Sequence, residues 1–173
     1  MKVLASISLR NGAVAGVLAF ILLVSLYYMG RHPLMIAPYF DFRIVIFGVF
    51  IFFTLKEFRD YYQNNVLYYW QGVIGGMIVV IVANTLSTIG MQIFGWLQPT
   101  FVESYIEQLT AYLKSFPPEQ IEQIGKDVYD RNLALLPSTN ITDLTISFLA
   151  KGALIGLFVC IIVATILRKQ PKN

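Results

Sequence analysis

Three long stretches of the chain contain no charged residue and no histidine, and they dominate its hydrophobic pattern. They cover residues 11–30, 61–102 and 152–167. A helix needs about 20 consecutive apolar residues to cross the hydrocarbon core of a bilayer. The pattern therefore predicts membrane-spanning helices, at about residues 11–29, 71–97 and 144–167. The first is predicted to stay attached to the protein, because no small-x-small cleavage site follows it.

A fourth span is predicted over residues 36–55, although only part of it is free of charge. The charge-free part, residues 44–55, would extend about 18 Å as a helix, which is too short for a core of about 30 Å. Extending the helix backwards to the required length includes Asp41 and Arg43 and puts Pro38 in the first turn, where a missing N–H costs little. A half-spanning or re-entrant segment is the alternative.

Residues 98–143 lie between the third and fourth spans and are predicted to form two amphipathic helices on the outer rim. Thr100 and Glu103 have the spacing of a capping box, and Pro117 and Pro118 separate the two helices. Apolar residues recur at helical spacing at Val102, Ile106, Leu109 and Leu113, and then at Ile121, Ile124 and Val128. A packed helical cap is the favoured interpretation, and a lid that binds a partner is the alternative.

The predicted fold is therefore all-α: one polytopic membrane domain over residues 1–173, with four transmembrane helices and a two-helix extracytoplasmic segment. Its orientation follows from the basic residues, which concentrate in cytoplasmic segments of membrane proteins. With four spans, both termini and the connection between the second and third spans lie on the same side of the membrane. This side carries the basic residues Lys2, Arg10, Lys56, Arg59, Arg168, Lys169 and Lys172. The segment 98–143 has three basic residues against seven acidic ones. Both termini are predicted to be cytoplasmic.

Composition supports the membrane class and argues against several others. Hydrophobic residues make up 57% of the chain and charged residues 13%, about half the share usual in soluble domains. The net charge of +3 does not predict nucleic-acid binding, because the basic residues lie at span edges. Cys160 is the only cysteine and His32 the only histidine, and His32 is expected to be solvated in the first outer loop. No pattern predicts an enzyme, a metal or cofactor site, or catalytic residues.

Small and polar residues on the spans predict helix contacts. Glycines four residues apart permit close helix packing in membranes, and three pairs occur: Gly12 and Gly16, Gly72 and Gly76, Gly152 and Gly156. The first two pairs predict contact between the first and third spans, and the seams could be intramolecular or dimeric. Asn84, Thr88 and Gln92 form a polar stripe on the third span. Interhelical hydrogen bonding is the favoured role for this stripe, and a water-filled or substrate-lined path is the alternative.

Three charged residues are predicted to lie inside the membrane, where ionisable groups are functional candidates. They are Asp41 and Arg43 on the second span and Lys151 on the fourth. Counted from the cytoplasmic ends of their helices, all three lie about 18–24 Å up, in the outer third of the core. The hypothesis is an ion cluster in which Asp41 neutralises Lys151 or Arg43. The alternative is that the basic side chains snorkel into the headgroups.

Short motifs from Lys56 onward resemble a known family. They are Lys56-Glu57-Phe58-Arg59-Asp60-Tyr61-Tyr62, Tyr69-Trp70-Gln71-Gly72 and Leu97-Gln98-Pro99-Thr100-Phe101, followed by a last span that ends in Arg168-Lys169. They are similar to the uncharacterised Bacteroidota integral membrane proteins that form the domain of unknown function 4199 family. The resemblance implies four spans in a bacterial inner membrane. It implies no activity and no catalytic residue.

The function expected from these features is that of a small integral inner-membrane protein without catalytic activity. An accessory or scaffold subunit that acts through helix contacts is favoured, with the lipid bilayer and a protein partner, or a second copy at the glycine seams, as its contacts. A small oligomeric transporter or channel that uses the polar stripe and the intramembrane charges is the alternative. An intramembrane enzyme is disfavoured, because no nucleophile, paired-carboxylate or phosphate-loop arrangement is present.

Overall fold

The computed structural model describes residues 1–170, and every regular element in this range is helical. Seven α-helices occur within it: α1 (Lys2–Tyr28), α2 (Phe42–Tyr62), α3 (Tyr69–Leu97), α4 (Thr100–Lys114), α5 (Pro118–Ile124), α6 (Lys126–Leu135) and α7 (Ile141–Leu167). Short 3₁₀ turns occupy Pro33–Met35, Pro38–Phe40 and Leu136–Ser138. Lys172, which contributes to the predicted charge bias, lies outside the described residues.

The long helices α1, α2, α3 and α7 form a bundle in which α3 contacts the other three. Each helix contributes fully buried side chains to one core, for example Leu4, Ile51, Val79 and Cys160. Each also exposes large apolar side chains on its outer face, for example Val17, Phe53, Ile81 and Phe158. Apolar residues on both faces are typical of helices whose solvent is lipid. Three of the helices, α1, α3 and α7, are long and apolar enough to cross a membrane.

The two ends of the bundle are built from different parts of the chain. At one end, the start of α1 meets the end of α2 through an Arg10–Glu57 ion pair of 2.8 Å, and Leu67 pairs with Lys169 through two backbone hydrogen bonds of 2.9 Å. At the other end, Tyr27 bonds to Thr100 at 2.9 Å. We call the first end the base. The second end, residues 29–41 and 98–140, is called the cap.

The start of α2 differs from the predicted span over residues 36–55. Pro38 belongs to a separate 3₁₀ turn, and Asp41 is extended, with φ −64° and ψ 124°. The Asp41 carboxylate accepts the backbone N–H of Arg43 at 3.0 Å, so Asp41 is the N-cap of the helix. Helix α2 therefore begins after Asp41 and runs from the cap to the base.

The segment between α3 and α7 contains three helices where two were predicted. Helix α4 confirms the first, but Thr100 is not its N-cap. Pro99 occupies that position, and no side chain caps the helix there. The predicted second helix is interrupted at Gly125, whose φ of +92° strongly favours glycine. It therefore divides into α5 and α6.

The glycine pairs mediate close packing, and the first and third spans contact each other as predicted. Gly12 and Gly16 do pack against α3, where an added Cβ on Gly16 would lie 2.9 Å from the carbonyl oxygen of Ala83. Gly76 instead faces α7, where an added Cβ would lie 2.5 Å from the sulfur of Cys160. The predicted contact between the first and third spans is therefore present, but it involves Gly12 and Gly16 and not Gly72 and Gly76. The remaining glycines of the three pairs also pack within the chain: Gly72 on Ala164, Gly152 on Asn84, and Gly156 on Val80.

Candidate functional site

A buried ion cluster joins α2 to α7 at the cap end of the bundle. The guanidinium of Arg43 binds the carboxylate of Asp41 through two hydrogen bonds, of 2.9 Å from Nε and 2.8 Å from Nη2. The ammonium of Lys151 lies 3.3 Å from the same carboxylate. The structure thus brings together the three charges that the sequence placed at one depth. Arg43 is fully buried, so its charge is paired within the protein and does not snorkel.

Arg43 also bonds to α7 directly. Its Nη1 donates to the carbonyl oxygen of Phe148 at 2.8 Å, and its guanidinium carbon lies 3.9 Å from the centre of the Phe148 ring. A cation over an aromatic face is attracted by the ring quadrupole, more strongly where water is excluded. Arg43 is therefore both the partner of Asp41 and a contact between α2 and α7.

Lys151 completes the cluster from α7. Its ammonium donates to the backbone carbonyl of Ile36 at 2.6 Å, which holds the loop before α2 against α7. Its side chain is 22% exposed, whereas that of Asp41 is 4% exposed. Two cations share one carboxylate, so the cluster of Asp41, Arg43 and Lys151 has a net charge of +1.

The polar stripe on α3 faces α7. Asn84 donates to the carbonyl oxygen of Leu149 at 2.9 Å, and Gln92 accepts a hydrogen bond from the hydroxyl of Thr145. The side-chain oxygens of Asn84 and Thr88 are buried and have no hydrogen-bond partner among the described residues. Two members of the stripe thus make interhelical bonds, while two buried oxygens of the stripe remain unsatisfied.

Gly152 allows the stripe and the ion cluster to come together. A Cβ added at this position would overlap the side-chain oxygen of Asn84 and lie 2.5 Å from Nη1 of Arg43. Any side chain here would therefore displace at least one of these two groups. The sequence identifies Gly152 as one of a spaced glycine pair, but the spacing does not reveal that a buried arginine and an asparagine occupy the space.

His32 is buried in the cap, so the prediction of a solvated residue in the outer loop is wrong. Only 2% of it is exposed, and its Nε2 donates to the carbonyl oxygen of Phe101 at 3.1 Å. The Phe101 and Tyr105 rings lie 4.6 and 5.2 Å from the imidazole, centre to centre. The sequence around His32 does not predict a hydrogen bond to a carbonyl 69 residues away. The signal in the sequence that relates to this contact is the apolar face of the predicted α4 helix, which carries Phe101 and Tyr105.

The surroundings of His32 favour its neutral form. Burial lowers the pKa of His32 from 6.5 to about 4, despite a smaller opposing effect of the hydrogen bond to Phe101. The backbone N–H of Leu34 donates to Nδ1 of His32 at 3.4 Å. A second proton on the ring would have to sit on Nδ1, where it would point at this N–H group. Protonation therefore opposes the contact between the loop and α4.

A comparison with protein families supports the sequence resemblance. A family model described as a protein of unknown function, DUF4199, matches residues 10–169. The chain belongs to the DUF4199 family. The match extends from α1 through the cap and the ion cluster to the end of α7. No curated protein and no solved structure matches this DUF4199 chain.

We expect Asp41→Asn to destabilise the DUF4199 bundle strongly, because it leaves the buried Arg43 without a counter-ion. Breaking a buried ion pair on one side typically costs about 3–5 kcal/mol. Adding Lys151→Gln to this variant should cause little further loss, since the lysine has already lost its anion. Unfolding in detergent can be followed by a thiol-reactive dye, because Cys160 is buried in the native state.

The matched control is Glu57→Gln, which removes the exposed ion pair with Arg10 at the base. Exposed pairs contribute only about 0–1 kcal/mol, so this variant should unfold close to the wild-type temperature. Losses from Asp41→Asn and Lys151→Gln that simply add would contradict a coupled cluster.

Acid should loosen the contact between His32 and α4. Below pH 6.5 the undocked, solvated imidazole takes up a proton, whereas the docked one stays neutral down to about pH 4. Stability of the contact is therefore lost as the pH falls through this window, by about 2 kcal/mol at pH 5. Hydrogen exchange in α4, corrected for the intrinsic rate, should be about 30-fold faster at pH 5 than at pH 7.5. His32→Gln should show no such dependence, and an equal pH response in both proteins would refute the role of His32.

Proposed function

We propose that this DUF4199 protein crosses the membrane four times, with α2 as the additional span. Helix α2 has 21 residues, which corresponds to about 31 Å, the thickness of a hydrocarbon core. Its charge-free part, residues 44–55, covers about 18 Å of this length, and charged residues complete it at both ends: Arg43 at the cap and residues 56–60 at the base. Its outward side chains include Val45, Val49 and Phe53, all exposed. Arg43 is buried and paired with Asp41, which reduces the cost of placing its charge at this depth.

We propose further that the base faces the cytoplasm of a bacterial inner membrane. The start of α1, the end of α2 with the 63–68 connection, and the end of α7 lie together at the base, where Arg10 pairs with Glu57 and Leu67 with Lys169. These segments carry most of the basic residues outside the ion cluster: Lys2, Arg10, Lys56, Arg59, Arg168 and Lys169. Positively charged segments are retained in the cytoplasm during insertion. The acidic cap then faces outward.

Thiol labelling of intact cells tests this topology, because the native Cys160 is buried. Single cysteines at the exposed positions Lys2 and Glu122, and at Gln63 in the connection, report the start of α1, the cap and the α2–α3 connection, respectively. A membrane-impermeant maleimide should label only the cysteine at position 122. If positions 2 and 63 are labelled from opposite sides of the membrane, α2 does not cross it. Recovery of the chain in the aqueous fraction would refute membrane insertion altogether.

We infer a non-catalytic accessory or scaffold role within the membrane. The observation that carries this inference is that polar groups inside the bundle bind neighbouring helices: Arg43 binds the Phe148 carbonyl and Asn84 binds the Leu149 carbonyl. These bonds support a packed interior in preference to a path for a substrate. The six paired glycines pack within the chain, so a partner would meet the large apolar side chains on the outer faces.

One observation favours a small oligomeric transporter as the second candidate. The side-chain oxygens of Asn84 and Thr88 are buried without a hydrogen-bond partner among the described residues, and unsatisfied buried polar atoms call for an explanation such as water or a ligand. They lie one helical turn apart on α3. A transporting bundle of this size would need more than one copy to form a complete path.

Photo-crosslinking in the native membrane separates these two roles. Phe53 is 58% exposed. If the chain is an accessory subunit, a photoreactive phenylalanine analogue at this position should crosslink to one defined protein other than a second copy of the chain. The same analogue at Phe47, which is fully buried on the same helix, should capture none and serves as the control. Crosslinks only to a second copy would favour the transporter. An absence of protein crosslinks at Phe53 and at comparable exposed positions on the other three helices would refute the accessory role.

A further inference from the structure

The ion cluster carries one positive charge more than it can neutralise. Asp41 is the only carboxylate paired with either Arg43 or Lys151 among the described residues. Charge buried near hydrocarbon is costly unless it is compensated. An anion beside the cluster would remove this imbalance.

Lys151 is the member of the cluster that an anion can reach. Its ammonium has three N–H groups, and two partners are seen in the structure, the Ile36 carbonyl and Asp41. The lysine lines a surface cavity of about 330 Å³ together with Pro38 and with Tyr105 and Tyr112 of α4. One N–H thus remains for a group bound in this cavity.

An apolar groove begins where the lysine cavity ends. It has a volume of about 350 Å³, lies between α2 and α7, and shares Pro38 with the lysine cavity. Its other lining residues are Tyr39, Ile44, Ile155, Phe158, Val159 and Ile162. Its lining is therefore suited to a hydrocarbon chain.

We propose that these two cavities form one binding site for an anionic phospholipid, with the phosphate at Lys151 and an acyl chain in the α2–α7 groove. Lys151 lies 16 residues from Leu167, about 24 Å along α7, and so in the outer third of a core about 30 Å thick, from which a lysine side chain reaches the outer headgroups. A free phosphate would satisfy the charge but would leave the groove empty. A lipid with one net negative charge satisfies both features.

This inference rests on the membrane insertion proposed above but not on the accessory role. The test uses the full chain purified in mild detergent, with bound lipid counted by native mass spectrometry. Phosphatidylglycerol, which has one net negative charge, should be retained at least tenfold more strongly than phosphatidylcholine of the same acyl chains. Millimolar glycerol 1-phosphate should not displace it, and displacement would show that the site binds free phosphate groups and would overturn the lipid assignment.

Two variants address the two halves of the site. Lys151→Gln should weaken phosphatidylglycerol binding at least tenfold, whereas Lys114→Gln, which removes an exposed charge from the last turn of α4, should leave it unchanged. Gly48→Leu should weaken binding severalfold while the ion cluster is intact, because a side chain at Gly48 would extend beside Val159 in the groove wall. Val45→Phe, at an exposed position on α2 outside the groove, is its control.

Several outcomes would overturn the lipid site and leave membrane insertion standing. They are equal binding of the two lipids by the wild-type chain, equal effects of Lys151→Gln and Lys114→Gln, and unchanged binding by Gly48→Leu. If Lys151→Gln does not fold, the lipid preference of the wild type and the Gly48→Leu variant decide the question. Recovery of the chain from the aqueous fraction would refute both the lipid site and the proposed topology.

Discussion

Helix α2 can extend along the whole bundle because the charge of Arg43 is neutralised inside the protein. A lone guanidinium buried between helices would carry a large desolvation cost. Asp41, two residues earlier, removes this problem with two hydrogen bonds to the side chain and a third to the backbone N–H of the same arginine. The same carboxylate thus caps α2 and provides its counter-ion. Because Arg43 also binds the Phe148 carbonyl, the position of α2 determines that of α7.

The rest of the interior is arranged around this contact. Gly152 leaves room on α7 for both Arg43 and Asn84, so α2, α3 and α7 meet at one point. Toward the base the glycines of α3 continue the close packing, with Gly76 against Cys160. Helix α1 packs on α3 as well, where Gly16 contacts Ala83. Between lipid-facing helices, such close backbone approach and interhelical hydrogen bonds stabilise association in place of the hydrophobic effect.

The cap depends on a different kind of contact. Phe101 of α4 is fully buried and packs in a second hydrophobic cluster with Leu23, Met91, Leu144 and Phe148. His32 adds a hydrogen bond to the Phe101 carbonyl at the edge of this cluster. Phe148 contacts the ion cluster as well, so the cap and the buried charges share a residue. Helix α4 is therefore attached to the bundle at its beginning, while its end and helices α5 and α6 make fewer contacts with the long helices.

The sequence alone determined the all-helical class, the approximate extents of α3 and α7 and the end of α1, because charge-free stretches of this length are distinctive. Helix α1 begins at Lys2, nine residues before the predicted span, because its first turns include Lys2 and Arg10 and so lie outside the charge-free stretch. Simple counting of helical rise also placed Asp41, Arg43 and Lys151 at one depth, and in the structure they adjoin. It misplaced the start of α2, since helix counting does not reveal that Asp41 would use its side chain as a cap. It also missed the burial of His32 and the space that Gly152 leaves for Asn84 and Arg43. These features depend on residues far apart in the chain, and only tertiary packing decides which of them meet.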